Sequence, residues 1–287
     1  GMGGSGVAGD VMKLLSNEIS DKNIFVQKDY SIPKQVKKFK PLCLFISYSG
    51  NTEETLSGIS DAKVNNFDWI VISSGGKLID MAKNEGKEYI QIPNGLQPRA
   101  AFGYLTLAVS KIVDVVEGSN YVSQLNDVSL YIDKLSDKGD ESDINKLSID
   151  ICESINKKTV IIYSGTDMSR VVSSRWKTQI NENAKSKAFI GNLPEVHHNE
   201  ILSWDADKDG SKKNYIVIFI RDQNEHPQIK KRFELTKDLI GEKVDIMDVN
   251  IANQESTLKT LLELVLLGDL VSLNLAAKLA VNPNNID

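Results

Sequence analysis

Residues 42–55 read Leu42-Cys43-Leu44-Phe45-Ile46-Ser47-Tyr48-Ser49-Gly50-Asn51-Thr52-Glu53-Glu54-Thr55. A short apolar run with no polar alternation is how a strand covered on both faces reads. It gives way to a Ser/Gly turn, and a helical pattern then opens with two glutamates. Strand, turn and helix in that succession are the unit of a parallel α/β sheet with right-handed crossovers. In such sheets ligands bind at the carboxyl ends of the strands. A helix N-terminus there offers unpaired N–H groups and a positive dipole end, which suits phosphate. Ser47, Ser49 and Thr52 add hydroxyl donors, and Gly50 lets the backbone approach closely. Ordinary helix capping needs one Ser, Thr or Asn, and here Ser47, Ser49, Asn51 and Thr52 stand within six positions.

The same alternation runs outward in both directions. Candidate strands fall at 24–27, 42–47, 69–74 and 88–92, and a second series at 159–163, 187–190, 215–220 and 243–249. Helical patterns lie between them, at 51–63, 77–86 and 168–185 among others. The stretch 99–157 interrupts the series with helices alone, punctuated by Gly118-Ser119-Asn120. This predicts two α/β domains, 1–119 and 120–287, each with a parallel, flavodoxin-like sheet between helices. Leu44 to Gly50 and Val160 to Gly165 echo one another, as a duplicated domain would. The last helix, 255–280, carries Leu258, Leu261, Leu262, Leu266, Leu270 and Leu273 at near-helical spacing. It is expected to pack on a sheet or a partner subunit.

Composition sets limits. The chain has 287 residues, 41% hydrophobic and 25% charged, with a formal net charge of -5. No basic field dominates, which argues against nucleic acid as a partner. Cys43 lies in an apolar run and Cys152 in a helical pattern, so both read as buried free thiols. No signal peptide and no apolar run long enough to span a bilayer is evident. A cytoplasmic protein is expected, and Gly1 ahead of Met2 reads as an expression scar.

Further motifs bear on chemistry. Gly1-Met2-Gly3-Gly4-Ser5-Gly6 matches GxGxxG, but no strand precedes it in the sequence and Asp21 falls in a polar turn. A close-approach loop against a sugar, opening the next helix, fits better than a dinucleotide site. Gln179-Ile180-Asn181-Glu182-Asn183-Ala184-Lys185 ends a helix, and Pro194-Glu195-Val196-His197-His198-Asn199-Glu200 follows in a loop. A carboxylate and an imidazole are what aldose–ketose isomerisation needs for proton shuttling and ring opening. Arg99, in Pro98-Arg99-Ala100-Ala101, has two readings: the fixed charge that an enediolate needs, or a surface arginine with its own salt bridge. Two features are decoys. Asp205 to Gly210 begins like a calcium loop, but Ile216 stands where the twelfth-position glutamate belongs. His197 and His198 are adjacent and do not make a metal pair.

Six motifs in order carry a resemblance: 1–6, 47–55, Ser73-Ser74-Gly75-Gly76-Lys77-Leu78, 98–101, 181–185 and His198-Asn199-Glu200. Together they resemble the archaeal-type bifunctional phosphoglucose/phosphomannose isomerases of the phosphoglucose isomerase superfamily, built from paired sugar-isomerase (SIS) domains. The resemblance implies an aldose–ketose isomerase acting on sugar 6-phosphates through a cis-enediolate. By it, Ser47, Ser49 and Thr52 cradle the phosphate, and Gly4 and Ser5 close over the sugar. Glu182 is the base between C1 and C2, Arg99 the enediolate stabiliser, and His198 the ring-opening residue. That histidine comes from the neighbouring subunit in this superfamily, which implies a homodimer with a shared site. No metal or organic cofactor is expected. The sequence departs from the family pattern at both ends. A leading helix before the glycine loop and a last helix with an active-site lysine are not matched, and Lys278 is the substitute considered. Two other readings stand beside this one: a non-catalytic SIS module that senses a sugar phosphate, and a different SIS enzyme such as an amino-sugar or pentose-phosphate isomerase.

Overall fold

The computed structural model describes residues 1–137, 139–206, 210–251 and 256–285. The chain divides into two compact units, Gly1–Asn126 and Asp127–Asp287.

In unit 1 the elements run α1 (Gly3–Ile19), α2 (Lys34–Lys37), β1 (Cys43–Ile46), α3 (Glu53–Val64), β2 (Trp69–Ser73), α4 (Gly76–Asn84), β3 (Tyr89–Gln91) and α5 (Phe102–Glu117). The strands pair in parallel in the order β1-β2-β3, with Cys43 opposite Trp69 and Val71 opposite Tyr89. Phe45, Trp69 and Val71 of the sheet bury against Ile59 and Ala62 of α3 and Leu78, Ile79 and Ala82 of α4. Gly58 of α3 is required by this packing, because a Cβ there would meet the Phe45 ring at 2.8 Å. α1 lies along α5, each presenting a buried apolar stripe, with Val7, Val11 and Leu15 on one and Leu105, Val109 and Ile112 on the other.

α6 (Tyr121–Ser136) contains the boundary between the units, where the sequence places it after residue 119. Unit 2 continues with α7 (Asp143–Ile155), β4 (Thr159–Ser164), α8 (Asp167–Asn183), β5 (Ala188–Asn192), α9 (Val196–Asn199), α10 (Ser211–Asn214), β6 (Tyr215–Ile220), α11 (Pro227–Ile240), β7 (Asp245–Val249) and α12 (Thr257–Lys278). Its parallel sheet has the order β5-β4-β6-β7. β6 is buried at every position from Ile216 to Ile220, as a strand covered on both faces must be.

Three expectations need correction. Residues 24–27 form no strand. A β-branched run becomes a strand only where a neighbour supplies ladder partners, and the ladder of β1 goes to β2. Within the chain the last helix packs on helices and not on a sheet: α12 lies against α7 and α8. There Gly268 lets the Trp176 indole approach, and its Nε1 donates to Leu264 O at 2.8 Å. The Glu255 end of the predicted helix lies outside the described residues. Finally, α12 is 22 residues long with a mean hydropathy of 1.7 over its most apolar window, enough by length and composition to cross a bilayer. Leu258, Leu261, Leu264, Leu267, Val271 and Leu275 are nevertheless buried within unit 2, so it is a core helix.

Candidate active site

Unit 1 gathers six of the predicted residues. β1 ends at Ile46, and the chain turns through Ser47-Tyr48-Ser49-Gly50-Asn51 into α3. Ser47 is buried, its Oγ 2.6 Å from Thr52 Oγ1 and 3.4 Å from Ser49 Oγ. The Gly50 N–H donates to Ser47 Oγ at 3.2 Å and to its carbonyl at 3.1 Å. Gly50 takes a φ of +67°, and a Cβ there would lie 1.8 Å from the Gly75 carbonyl. No other residue fits. The turn is locked from below by Ser73-Ser74-Gly75-Gly76: Ser74 Oγ and the Ser74 N–H both donate to Tyr48 O, at 2.7 and 3.0 Å.

Thr52 is the N-cap of α3, yet its side chain makes no cap hydrogen bond. Its hydroxyl is engaged with Ser47 instead. The first-turn N–H groups of α3 are therefore not closed off by their own capping residue, and they keep the positive end of the helix available. A second helix entrance lies beside it. Gly4 and Ser5 stand in the first turn of α1 rather than in a loop, and Ser5 Oγ accepts the Tyr48 N–H at 3.1 Å. Arg99 is buried in a 3-10 turn, Pro98–Ala101, ahead of α5. A Cβ on Gly4 would come within 3.1 Å of Arg99 Cα, so glycine brings α1 against that turn. Two helix N-termini, a buried arginine and three hydroxyls are groups of the kind that suit an anion.

Unit 2 carries the other two residues. Glu182 lies in the last turn of α8, half-buried, between two anchored asparagines. Asn181 Oδ1 accepts the Ala188 N–H of β5 at 2.9 Å, and Asn183 Nδ2 donates to Ser272 Oγ of α12 at 2.9 Å. Farther back, Arg175 and Gln179 grip the two oxygens of Asp269 at 2.6 and 2.8 Å. The end of α8 is thus bolted to strand and helix, which fixes the direction of Glu182. Nothing local in the sequence marks these anchors, whose partners lie in β5 and α12.

The two histidines of α9 separate. His197 has both ring nitrogens engaged, Nε2 with Thr236 Oγ1 at 2.8 Å and Nδ1 with Arg232 at 3.1 Å. Thr236 donates its own proton to Arg232 O, so it accepts from His197 Nε2–H, and Nδ1 accepts from the guanidinium. Burial and then the Arg232 charge push the His197 pKa down, which keeps the ring neutral. His198 is exposed on the surface of its unit.

The remaining sequence candidates resolve plainly. Lys278 is paired with Glu153 of α7 at 2.5 Å. Asp207, Lys208 and Asp209 of the calcium-like loop lie outside the described residues. Among the described residues no group of three His, Cys, Asp or Glu side chains stands close enough to hold a metal. Cys43 and Cys152 are free thiols, and burial raises Cys43 to about 11, so it is inert.

Comparison with known proteins bears on the same residues. The bacterial phospho-glucose isomerase C-terminal SIS domain family matches residues 144–287. A bifunctional phosphoglucose/phosphomannose isomerase of Aquifex aeolicus is 35% identical over 99% of this chain and 84% of its own length. A D-glucosamine-6-phosphate 4-epimerase of Sulfolobus acidocaldarius is 30% identical over 100% of this chain and 84% of its own. Among solved structures, the fold is shared with a glucosamine-6-phosphate deaminase from Thermotoga maritima, at a TM-score of 0.69 and 14% identity over 99% of this chain and 85% of that one. The two parallel sheets, the SIS match and the full-length similarity together place this chain in the family of bifunctional phosphoglucose/phosphomannose isomerases.

Proposed function

We propose that this protein interconverts glucose 6-phosphate and mannose 6-phosphate with fructose 6-phosphate. The observation that carries it is the entrance to α3, where three hydroxyls surround a helix start that its own N-cap leaves open. Ser47, Ser49, Thr52 and the first-turn amides bind the 6-phosphate. Gly4 and Ser5 lie against the sugar, and Arg99 faces the oxygens that become the enediolate.

The chemistry needs no redox partner. Ring opening breaks the bond between the anomeric carbon and O5, and the anomeric hydroxyl proton ends on O5, moved by His198. Glu182 then takes the C2 proton of the open aldose as the C1–C2 enediolate forms, the O2 hydroxyl proton passes to O1, and Glu182 returns its proton to C1 to give the ketose. Charge develops on the carbonyl oxygen, where a fixed guanidinium costs no reorganisation. Mannose 6-phosphate differs at C2. The same base serves both epimers if the enediol rotates about C2–C3 before the proton returns. We place the protein in the cytoplasm as a homodimer whose His198 completes the site of the neighbouring subunit.

The Sulfolobus relative, named as an epimerase at C4, favours a second reading in which the same phosphate grip serves an amino sugar. A coupled assay of fructose 6-phosphate conversion to glucose 6-phosphate and to mannose 6-phosphate, beside Glu182→Gln, decides. Turnover to both products, lost about a thousandfold in the mutant, is expected. Binding without either product, or turnover of glucosamine 6-phosphate alone, would overturn the proposal.

A further inference from the structure

Tyr48 lies between Ser47 and Ser49 in the turn that opens α3, and it is buried. Three parts of it hold three different segments. Its N–H donates to Ser5 Oγ, in the first turn of α1, at 3.1 Å. Its carbonyl accepts from the Ser74 N–H, Ser74 Oγ and Ser73 Oγ, at 3.0, 2.7 and 3.3 Å. Its phenol oxygen accepts the Leu96 N–H at 2.8 Å. The first two use the backbone, so another residue could keep them. The third needs the hydroxyl, and phenylalanine would keep the ring and lose the bond.

Leu96 belongs to the segment that joins β3 to the turn of Arg99. At one end the Ile92 N–H is bonded to Ser73 O, and at the other the Ala100 N–H is bonded to Gln97 O. Between them Pro93, Asn94, Gly95 and Leu96 are exposed. Exposed chain with little buried apolar contact opens at low cost, so a bond from a buried side chain has a large effect on where the segment rests. Leu96 stands three residues ahead of the buried Arg99. The phenol therefore ties the approach to Arg99 to the turn that carries Ser47 and Ser49.

We propose that Tyr48 is a positioning residue: its hydroxyl fixes residues 93–97, and through them Arg99, at a set distance from the phosphate turn to which Tyr48 itself belongs. This rests on the isomerase reading above. In that reading the phosphate sits on C6 and the enediolate forms at C1 and C2, at opposite ends of the substrate. The cradle and the guanidinium must then keep a spacing that matches the open sugar. A misplacement on the order of 1 Å costs up to about a hundredfold in rate. Loss of the phenol oxygen leaves Ser47, Ser49 and Thr52 in place, so the effect falls on the step in which charge develops and not on the grip of the phosphate.

The test is Tyr48→Phe in the full chain. For fructose 6-phosphate it is expected to lower kcat about tenfold while KM stays within about twofold of wild type. In an Arg99→Lys background the same change should cost less than about threefold, because a residue that acts through Arg99 has little left to lose there. A purely structural role predicts a lowered thermal midpoint and an equal cost in both backgrounds. Unchanged kcat, a rise in KM alone, or full additivity with Arg99→Lys overturns the proposal. Amide exchange needs no turnover and separates this proposal from the isomerase reading. Tyr48→Phe should speed exchange between Leu96 and Ala101 about tenfold and leave residues 47–51 unchanged. Wild type that yields neither product would overturn the isomerase reading, whereas unaltered exchange between Leu96 and Ala101 would overturn the role of Tyr48 whatever the substrate.

Discussion

After β1 the chain runs Ser47-Tyr48-Ser49-Gly50-Asn51-Thr52, and after β4 it runs Ser164-Gly165-Thr166-Asp167. Both turns join a buried strand to a helix, and both are rich in hydroxyls. In the second, Thr166 and Ser169 form a reciprocal capping box, with Ser169 N–H to Thr166 Oγ1 at 3.1 Å and Thr166 N–H to Ser169 Oγ at 2.9 Å. The Thr166 hydroxyl also donates to the buried Asp222 carboxylate at 2.8 Å. That turn is satisfied by its own chain, and a buried carboxylate repels an anion. In the first turn the N-cap hydroxyl binds another hydroxyl and leaves the helix entrance open. Ser, Thr and Gly at the end of a strand therefore specify a turn, and whether that turn caps itself decides whether the helix entrance stays open.

Breaking the comparison at its glycines gives the largest contrast. Gly50→Ala forces a Cβ against the Gly75 carbonyl at a positive φ. The loop must shift, and kcat/KM for fructose 6-phosphate is expected to fall about a thousandfold, since misplaced positioning groups are this costly. Gly165→Ala meets the Ile229 methyl at 2.3 Å and the Phe233 ring at 3.1 Å, side chains of the unit 2 core. It should lower stability by about 1–3 kcal/mol and leave KM unchanged.

A second contrast lies between the histidines. His198→Ala is expected to cost about a hundredfold or more in turnover of the cyclic substrate, whereas His197→Ala should cost about 1–2 kcal/mol of stability and little activity, because it removes the donor to Thr236 Oγ1 and the acceptor of the Arg232 guanidinium. The reverse result would exchange their roles. His197 also predicts a pH effect. Its folded pKa is held below the ordinary histidine value of 6.5, so the unfolded chain binds the extra proton first as pH falls. Stability should decline with acidification just below that value, and a urea titration of His197→Gln across the window should show the slope reduced.

Smallest is the cap. Thr166→Ala removes the capping box and should cost about 1 kcal/mol of stability, read from the denaturation midpoint, with no change in affinity for inorganic phosphate. Were phosphate affinity to fall, the second turn would also be a ligand site.

Much of this was legible in sequence because it is local. Buried strands such as 215–220 and the hydroxyl turn at 47–52 are contiguous, and short-range physics decides them. The failures are non-local. Residues 24–27 have the composition of a strand, but a strand needs a neighbour, and the ladder of β1 faces the other way. The echo between 44–50 and 160–165 couples strands of different rank, since β1 lies at the edge of its sheet and β4 inside its own. His197 could not be set apart from His198 without Arg232 and Thr236, which are more than thirty residues away. The anchoring of Glu182 depends likewise on Ser272 of α12, 89 residues from Asn183.

In the proposed reaction Ser47, Ser49 and Thr52 hold the phosphate and Glu182 moves the proton. The most direct measurement sets fructose 6-phosphate affinity beside turnover in Glu182→Gln and in the Ser47→Ala, Thr52→Ala double mutant. Glu182→Gln should bind with near wild-type affinity and turn over about a thousandfold more slowly. The double mutant should lose about a hundredfold in affinity, because charge-assisted hydrogen bonds to the phosphate are removed. Turnover in Glu182→Gln within tenfold of wild type, or undiminished affinity in the double mutant, would contradict the account.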